Sequence, residues 1–190
     1  MPSFPPLPEP LTGDRAHLRL AGERDIPEIL IAHQDDPELY RRLRSERPPS
    51  GAELGRRTEL ADTERALGAR LWLTILTPGS DVCRGQIDVH NAELHYGRAD
   101  VGIWVAPQHR DQGLGAAALA LAGRWLIEDA GLARVQLFIE PGNGPMLAIA
   151  AKAGFVREGV LRGYWRERGG RADAEAWSLV TPDLETAPRS

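Results

Sequence analysis

Between residues 100 and 126 a strand pattern, a glycine-bearing turn and a long helix follow one another directly, an order that few folds accommodate. Val101, Ile103, Trp104 and Val105 give the stretch from Asp100 its β character, and Ala106-Pro107 ends it, since proline offers no N–H to a ladder. Arg110-Asp111-Gln112-Gly113-Leu114-Gly115 comes next. Leu114, Ala117, Ala118, Leu121, Ala122, Trp125 and Leu126 then recur at the three-and-four spacing of a helix with one buried face. Such a turn makes an anion site. Glycines let the main chain bend tightly and approach a ligand, and the unpaired amides and positive dipole end of the helix point at negative charge. Two glycines alone are better explained as an ordinary strand-to-helix turn.

The rest of the chain surrounds this unit with alternating elements. Prolines at 2, 5, 6, 8 and 10 predict an extended arm over residues 1–12. His17 to Leu20 reads as the first strand. Asp25, with Pro27 in the first turn and Ile26, Ile29 and Leu30 on one side, opens a helix that ends near Asp35-Asp36-Pro37. Residues 37–50 read as irregular and 51–69 as a second, weakly amphipathic helix. Leu71 to Leu76 is a strand stopped by Pro78-Gly79, with Arg84 to His90 as its hairpin partner. Val135 to Glu140 predicts a fifth strand and Pro145 to Ala153 a short helix. Phe155 to Trp165 with Ala174 to Val180 predicts a closing hairpin that turns at Gly169-Gly170. The sum is an α+β chain of about seven strands and four helices, expected as one domain over its 190 residues.

Composition narrows the class of function. With 23 Lys and Arg against 27 Asp and Glu, the net charge of -4 argues against a broad nucleic-acid surface. No apolar run approaches the roughly 18 residues of a membrane span, and no basic start followed by an apolar stretch marks a signal peptide. A soluble cytoplasmic protein is the expectation. Cys83 is the only cysteine, so it reads as a small buried strand residue rather than a nucleophile. His90 and His95 make no zinc pattern with it, and no metal is expected.

The glycine turn can now be compared with known phosphate binders. Gly115 is followed by Ala116 and Ala117 rather than by the Lys-Ser or Lys-Thr of a P-loop, and the third glycine of a dinucleotide fingerprint is missing. Arg110 to Gly115 instead fits Arg/Gln-x-x-Gly-x-Gly/Ala, and here the sequence resembles the GNAT acetyltransferase superfamily. Val101-Gly102-Ile103-Trp104-Val105-Ala106-Pro107 is similar to the Ile-Gly-Tyr-Trp-Leu-x-Pro segment of its ribosomal-protein N-acetyltransferase (RimJ/RimL-like) branch. Glu140-Pro141-Gly142-Asn143 resembles that branch's x-Pro-x-Asn, and Lys152 to Gly159 its Lys-x-Gly-Phe-x-x-Glu-Gly. Asp173 and Trp177-Ser178-Leu179 are similar to its closing strand. The likeness is strong over the C-terminal half and holds over the N-terminal half only in element order.

The resemblance implies a GNAT fold, whose central twisted sheet is mixed and mostly antiparallel, with acetyl-CoA held by residues 100–155. It implies transfer of an acetyl group to a primary amine, either a protein N-terminus or a small molecule. In such proteins the strand equivalent to Ile103–Val105 splays from its neighbour and the pantetheine arm lies in the gap, which places cofactor contacts at Trp104 and Val105. Amides of Arg110, Asp111, Gln112, Gly113, Leu114, Gly115 and Ala116 would wrap the pyrophosphate. Asn143 would steady the pantetheine or the sulfur end, although it equally suits the N-cap of the helix at Pro145. Dimers are common among such proteins, so a homodimer is compatible with the resemblance.

Acetyl transfer from a thioester needs a neutral amine, a donor for the developing oxyanion and a route for protons. The amide near Val105 suits the oxyanion. Neutralising lysine at pH 7 costs about 4 to 5 kcal/mol, against roughly 1 for an α-amine, so a weak base suffices for an N-terminus. Asp100 stands where the resembled family often carries an acidic residue beside the acceptor, and with Asn143 it forms the catalytic candidate pair. His90, Asp88 and Glu140 are further candidates, although a strand-end Asp is commonly solvated and a lone His commonly structural. Where the branch commonly has Ser three residues after the Asn, this chain has Met146, and Ala148 replaces a frequent Arg. Methionine cannot donate a proton. Tyr164 or water then protonates the thiolate, or the thiolate leaves unaided with a pKa near 8.5, or the chain is an acyl-CoA-binding sensor without efficient turnover. A longer donor such as succinyl-CoA would need extra room near the thioester and could use an arginine there. Arg41, Arg42 and Arg44 lie in the N-terminal half, where a solvated helix face is the competing reading.

Overall fold

The computed structural model describes residues 3–167 and 169–186. Its strands are β1 (Leu11–Thr12), β2 (His17–Leu20), β3 (Leu71–Leu76), β4 (Gly85–Glu93), β5 (Arg98–Val105), β6 (Arg134–Ile139), β7 (Val156–Glu167) and β8 (Gly170–Val180). The helices are α1 (Ile26–Asp35), α2 (Leu39–Arg42), α3 (Gly51–Ala66), α4 (Leu114–Glu128), α5 (Gly144–Lys152) and α6 (Thr181–Thr186). One sheet takes all eight strands in the order β1-β2-β3-β4-β5-β6-β8-β7. Only β5 and β6 run parallel, so the mixed, mostly antiparallel sheet expected from the sequence is present.

One face of the sheet is apolar because alternate residues on each strand point the same way. Leu18, Leu73, Ile75, Ile87, Val89, Val135, Leu137 and Leu179 are buried there against Leu119, Ala122, Trp125 and Leu126 of α4. Each large side chain so buried contributes about 1.5 to 3 kcal/mol. Gly123 lets α4 settle this close, since a Cβ there would lie 2.7 Å from Leu179 Cδ2. The opposite side buries polar groups instead. Arg19 on β2 meets Asp25 at 2.6 Å, and Thr74 Oγ1 donates to the same carboxylate at 2.6 Å.

Three short elements, β1, α2 and α6, lie beyond what periodicity can register. Within residues 1–12, Phe4 is buried in the core, and Leu11 and Thr12 pair with Leu18 and His17. Residues 37–50, read as irregular, hold α2, anchored by the buried Leu39 and begun by the bond from Glu38 N to Asp36 Oδ1 at 3.2 Å. Cys83 is buried but lies just before β4 rather than in it, and burial pushes its thiol up to about 12, leaving it unreactive. No helix among the described residues is long and apolar enough to cross a membrane.

Candidate functional site

The two parallel strands part almost as soon as they meet. β5 pairs with β6 only at Arg98↔Arg134, Ala99↔Val135 and Asp100↔Gln136, although β5 continues to Val105 and β6 to Ile139. On its other edge β5 stays paired with β4 as far as Gly85↔Val105. The bond from Ala106 N to Arg84 O at 2.8 Å fixes the alternation of that ladder. The N–H and C=O groups of Ile103 and Val105 therefore turn away from β4, into the gap. Trp104 and Val105, the expected cofactor contacts, thus border an opening whose wall is main chain.

The glycine turn lies at the end of this gap. Pro107–His109 is a 3-10 turn, Arg110 is extended, and Asp111 and Gly113 adopt positive φ of 59° and 79°. Gly113 is the N-cap of α4 and no side chain caps the helix. The first backbone bond across the cap runs from Ala117 N to Gly113 O at 3.1 Å, so the amides of Leu114, Gly115 and Ala116 form the open end of α4. The two glycines serve different ends. Gly113 supplies the left-handed turn, whereas a Cβ on Gly115 would lie 3.1 Å from Ile149 Cδ1 and 3.3 Å from Val105 Cγ2. Gly115 therefore lets α4 pack against α5 and β5.

Side chains brace this turn from a distance. Arg110 donates from Nε to Val105 O at 2.9 Å and pairs through Nη2 with Asp36 at 2.7 Å. Asp36, at the end of α1, also binds Arg42 at 2.6 Å. Burial opposes ionisation of Asp36, but the hydrogen bond and charge of Arg110, then Arg42, outweigh it and hold the carboxyl below its ordinary range. Gln108 bonds to Asp35, and Gln112 Nε2 donates to Gln108 O at 3.1 Å. Asp111 and Gln112 are exposed. Arg15, between β1 and β2, brings Nη1 to 3.9 Å from the point where a Cβ on Gly113 would stand, which sets a cation beside the helix end.

Asn143 caps α5, its Oδ1 accepting from Met146 N at 3.3 Å. The helix-cap role is therefore present, and Nδ2 remains for another partner. Met146 is half-buried and packs on the core.

Asp100 stands at the vertex where β5 and β6 separate. It is 6% exposed, and its oxygens accept from Asn91 Nδ2 at 2.8 Å and Gln136 Nε2 at 2.5 Å. All three residues border an open cleft of about 650 Å³. His90 is the cross-strand partner of Asp100, and paired residues share a face. Its Nδ1 lies 3.4 Å from Asp88 Oδ2, and Asp88 is forked by Arg70 at 2.7 and 2.5 Å. Gly102 leaves the floor between Asp100 and Trp104 open, since a Cβ there would approach only His90 Cε1, at 3.9 Å. Glu140 belongs elsewhere, near Arg44 at 3.7 Å, and Arg44 also pairs with Glu167 and covers the Trp165 ring at 3.8 Å. Arg41 pairs with Glu38. Tyr164 stacks on Phe138 with ring centres 4.7 Å apart, and partial burial, then the charge of Asp100, pushes its pKa up.

Asp36, Asn91, Gln136 and Arg15 were not singled out from the sequence. Each reaches the site through a contact distant along the chain, which spacing does not reveal.

Comparison with known proteins gives a consistent outcome. Residues 15–156 match the acetyltransferase (GNAT) domain. The N-acetyltransferase YoaA of Bacillus subtilis, itself uncharacterized, is 28% identical over 98 residues, covering 52% of this chain and 55% of YoaA. YdaF of the same organism, named provisionally as a ribosomal N-acetyltransferase, is 27% identical over 173 residues, 88% of this chain and 92% of YdaF. Among solved structures, Mycobacterium smegmatis RimJ in complex with CoA-disulfide superposes with a TM-score of 0.77 at 22% identity, covering 92% of this chain and 85% of RimJ.

Proposed function

The chain belongs to the GNAT acetyltransferase family, and we propose that it transfers the acetyl group of acetyl-CoA to a primary amine within a ternary complex. The observation that carries this reading is the gap that opens between β5 and β6 beyond Asp100↔Gln136, beside the uncapped start of α4. A pantetheine arm needs an extended strand edge with free amide and carbonyl groups; Ile103 offers both and Val105 its amide, the Val105 carbonyl being taken by Arg110 Nε. A pyrophosphate needs converging N–H groups without a competing cap, and Leu114, Gly115 and Ala116 offer these at the positive end of a long helix. Arg15 adds charge next to Gly113. RimJ, of the same fold, was solved with CoA-disulfide.

In the reaction the amine nitrogen attacks the thioester carbon, negative charge collects on its oxygen, and the C–S bond then breaks to leave a thiolate while the amine loses a proton. The amide of Val105 suits the oxyanion. Asp100 takes the amine proton through water, because both its oxygens already accept side-chain amides. Asn143 steadies the cofactor through Nδ2. Acceptors are amines such as a protein N-terminus or a small-molecule amine, and YdaF is named for ribosomal N-acetyltransfer.

Calorimetry with acetyl-CoA, followed by thiol release against an amine panel, tests the reading. Binding together with amine-dependent release of free CoA is expected, and a protein that binds no CoA thioester at all overturns it.

A further inference from the structure

The polar side of the sheet carries a cation with no carboxylate of its own. Arg57, on α3, donates from Nη2 to Gln86 Oε1 at 3.0 Å, and its guanidinium carbon lies 4.2 Å from the centre of the Trp72 ring. No acidic side chain pairs with it among the described residues. The carboxylate that acts on it most strongly is Asp88, and Asp88 is already forked by Arg70, which also lies 4.2 Å from the Trp72 ring centre. Two guanidiniums thus share one carboxylate, and the surplus charge resides on Arg57.

The surroundings of Arg57 are unfinished in the same sense. Gln86 is 1% exposed, yet its Nε2 has no partner, and Trp72 Nε1 and His33 Nδ1 are likewise buried and unbonded. His33 reaches this region from α1 and feels the charge of Arg57. Burial lowers the pKa of Arg57 itself, with the pull of Asp88 too weak to offset it, so the cation is desolvated and only partly compensated. Stacking on Trp72 and the single bond to Gln86 hold the guanidinium in place and leave its other N–H groups for a ligand. The position matters for function, because Gln86 is the cross-strand partner of Trp104, at the lip of the gap.

We propose that Arg57, held by Gln86 and Trp72, forms a carboxylate-binding subsite on the acceptor face. One of the two reactants therefore bears a carboxylate, either on the acceptor amine or at the far end of a longer acyl group on CoA. A polyamine, positive along its length, fits this face poorly. The inference rests on the acyl-transfer reading above and adds a selectivity to it.

Two arms of one thiol-release assay separate the sources. In the first, acetyl-CoA is offered with short peptides that differ only in Asp or Asn beside the amino terminus. In the second, succinyl-CoA is compared with acetyl-CoA on the Asn peptide. A charge-assisted fork predicts a preference in kcat/KM of roughly 10- to 100-fold for the carboxylate in one arm, and that arm identifies its bearer. Arg57→Gln should bring the ratio to about one while acetyl-CoA affinity holds, and Arg57→Lys should fall between, so Lys serves the comparison if Gln does not fold. Equal rates in both arms, or a preference that survives Arg57→Gln, overturns the subsite and leaves acyl transfer standing. If no pair releases thiol, these peptides are not acceptors, and calorimetry with succinate decides the subsite. Binding lost in Arg57→Gln supports it, and no binding to the unaltered protein overturns it.

Discussion

The guanidinium of Arg110 donates through Nε to the main-chain oxygen of Val105 at 2.9 Å. One side chain of the glycine turn thereby fixes the last residue of the strand that borders the gap, and its Nη2 is held by Asp36 at the end of α1. Helix, turn and strand edge are tied through a single residue. Arg110→Ala should cost about 1 to 2 kcal/mol of stability through lost charge-assisted bonds and weaken acetyl-CoA binding roughly tenfold by loosening the strand edge. Chemical denaturation and calorimetry check the two effects separately. Affinity unchanged in the folded variant would confine Arg110 to a stabilising role.

Substitutions at the two glycines of the turn should fail in different ways. At Gly113 (φ 79°) the space for a Cβ is open apart from Arg15. Gly113→Ala should therefore cost about 1 to 2 kcal/mol through the left-handed backbone alone, and weaken CoA binding by deforming the helix end. Gly115→Val should instead overpack against Ile149 and Val105, destabilising by about 1 to 3 kcal/mol. Melting temperature and CoA affinity measured on both variants distinguish strain at the ligand from strain in the core.

The glycine turn was legible because its signals are local. A glycine where φ must be positive and a helix with one apolar face are both written in consecutive residues. The splay of β5 from β6 was expected only through the family likeness, since nothing in Val101 to Val105 says where a neighbour departs. The acceptor face was hardly legible at all. Arg57 has the look of a solvated arginine on a weakly amphipathic helix, and only the fold brings it onto Trp72 and beside Gln86. Asp100 was chosen by position, while Asn91 and Gln136, which bind its two oxygens, were invisible because one lies past the end of the expected hairpin strand and the other on a different strand. β1 and α2 are too short for any periodicity to register.

Acid should expose the contribution of Glu158. Hydrogen bonds from Arg134 at 2.7 and 2.6 Å, then from Ser178 at 2.8 Å, bring its carboxyl down to about 2. A depressed folded pKa means that the stabilisation is complete above the unfolded value of about 4.3 and is lost as pH falls through about 2. The pair is partly exposed, so its worth is modest and falls with added salt. Glu158→Gln should flatten the decline of melting temperature between those limits and leave the neutral range almost unchanged. A variant with the parent's acid slope would remove Glu158 as a source of that decline.

Tyr164 tests whether the departing thiolate needs a proton donor, since Met146 cannot act as one. Partial burial and the charge of Asp100 raise the phenol above its ordinary pKa of about 10. A thiolate with a pKa near 8.5 is the weaker base, so taking the phenol's proton is uphill by more than about 2 kcal/mol. Such a donor gives little help, and a thiolate of that basicity leaves readily on its own or collects a proton from water. Tyr164→Phe should therefore keep kcat within about threefold and leave the alkaline side of the pH–rate profile in place, because a fall of tenfold costs only about 1.4 kcal/mol and would already exceed what an uphill donor supplies. Should kcat drop by about 100-fold with KM unchanged, the hydroxyl takes part in the transition state, and the acid absent at position 146 is to be found on β7.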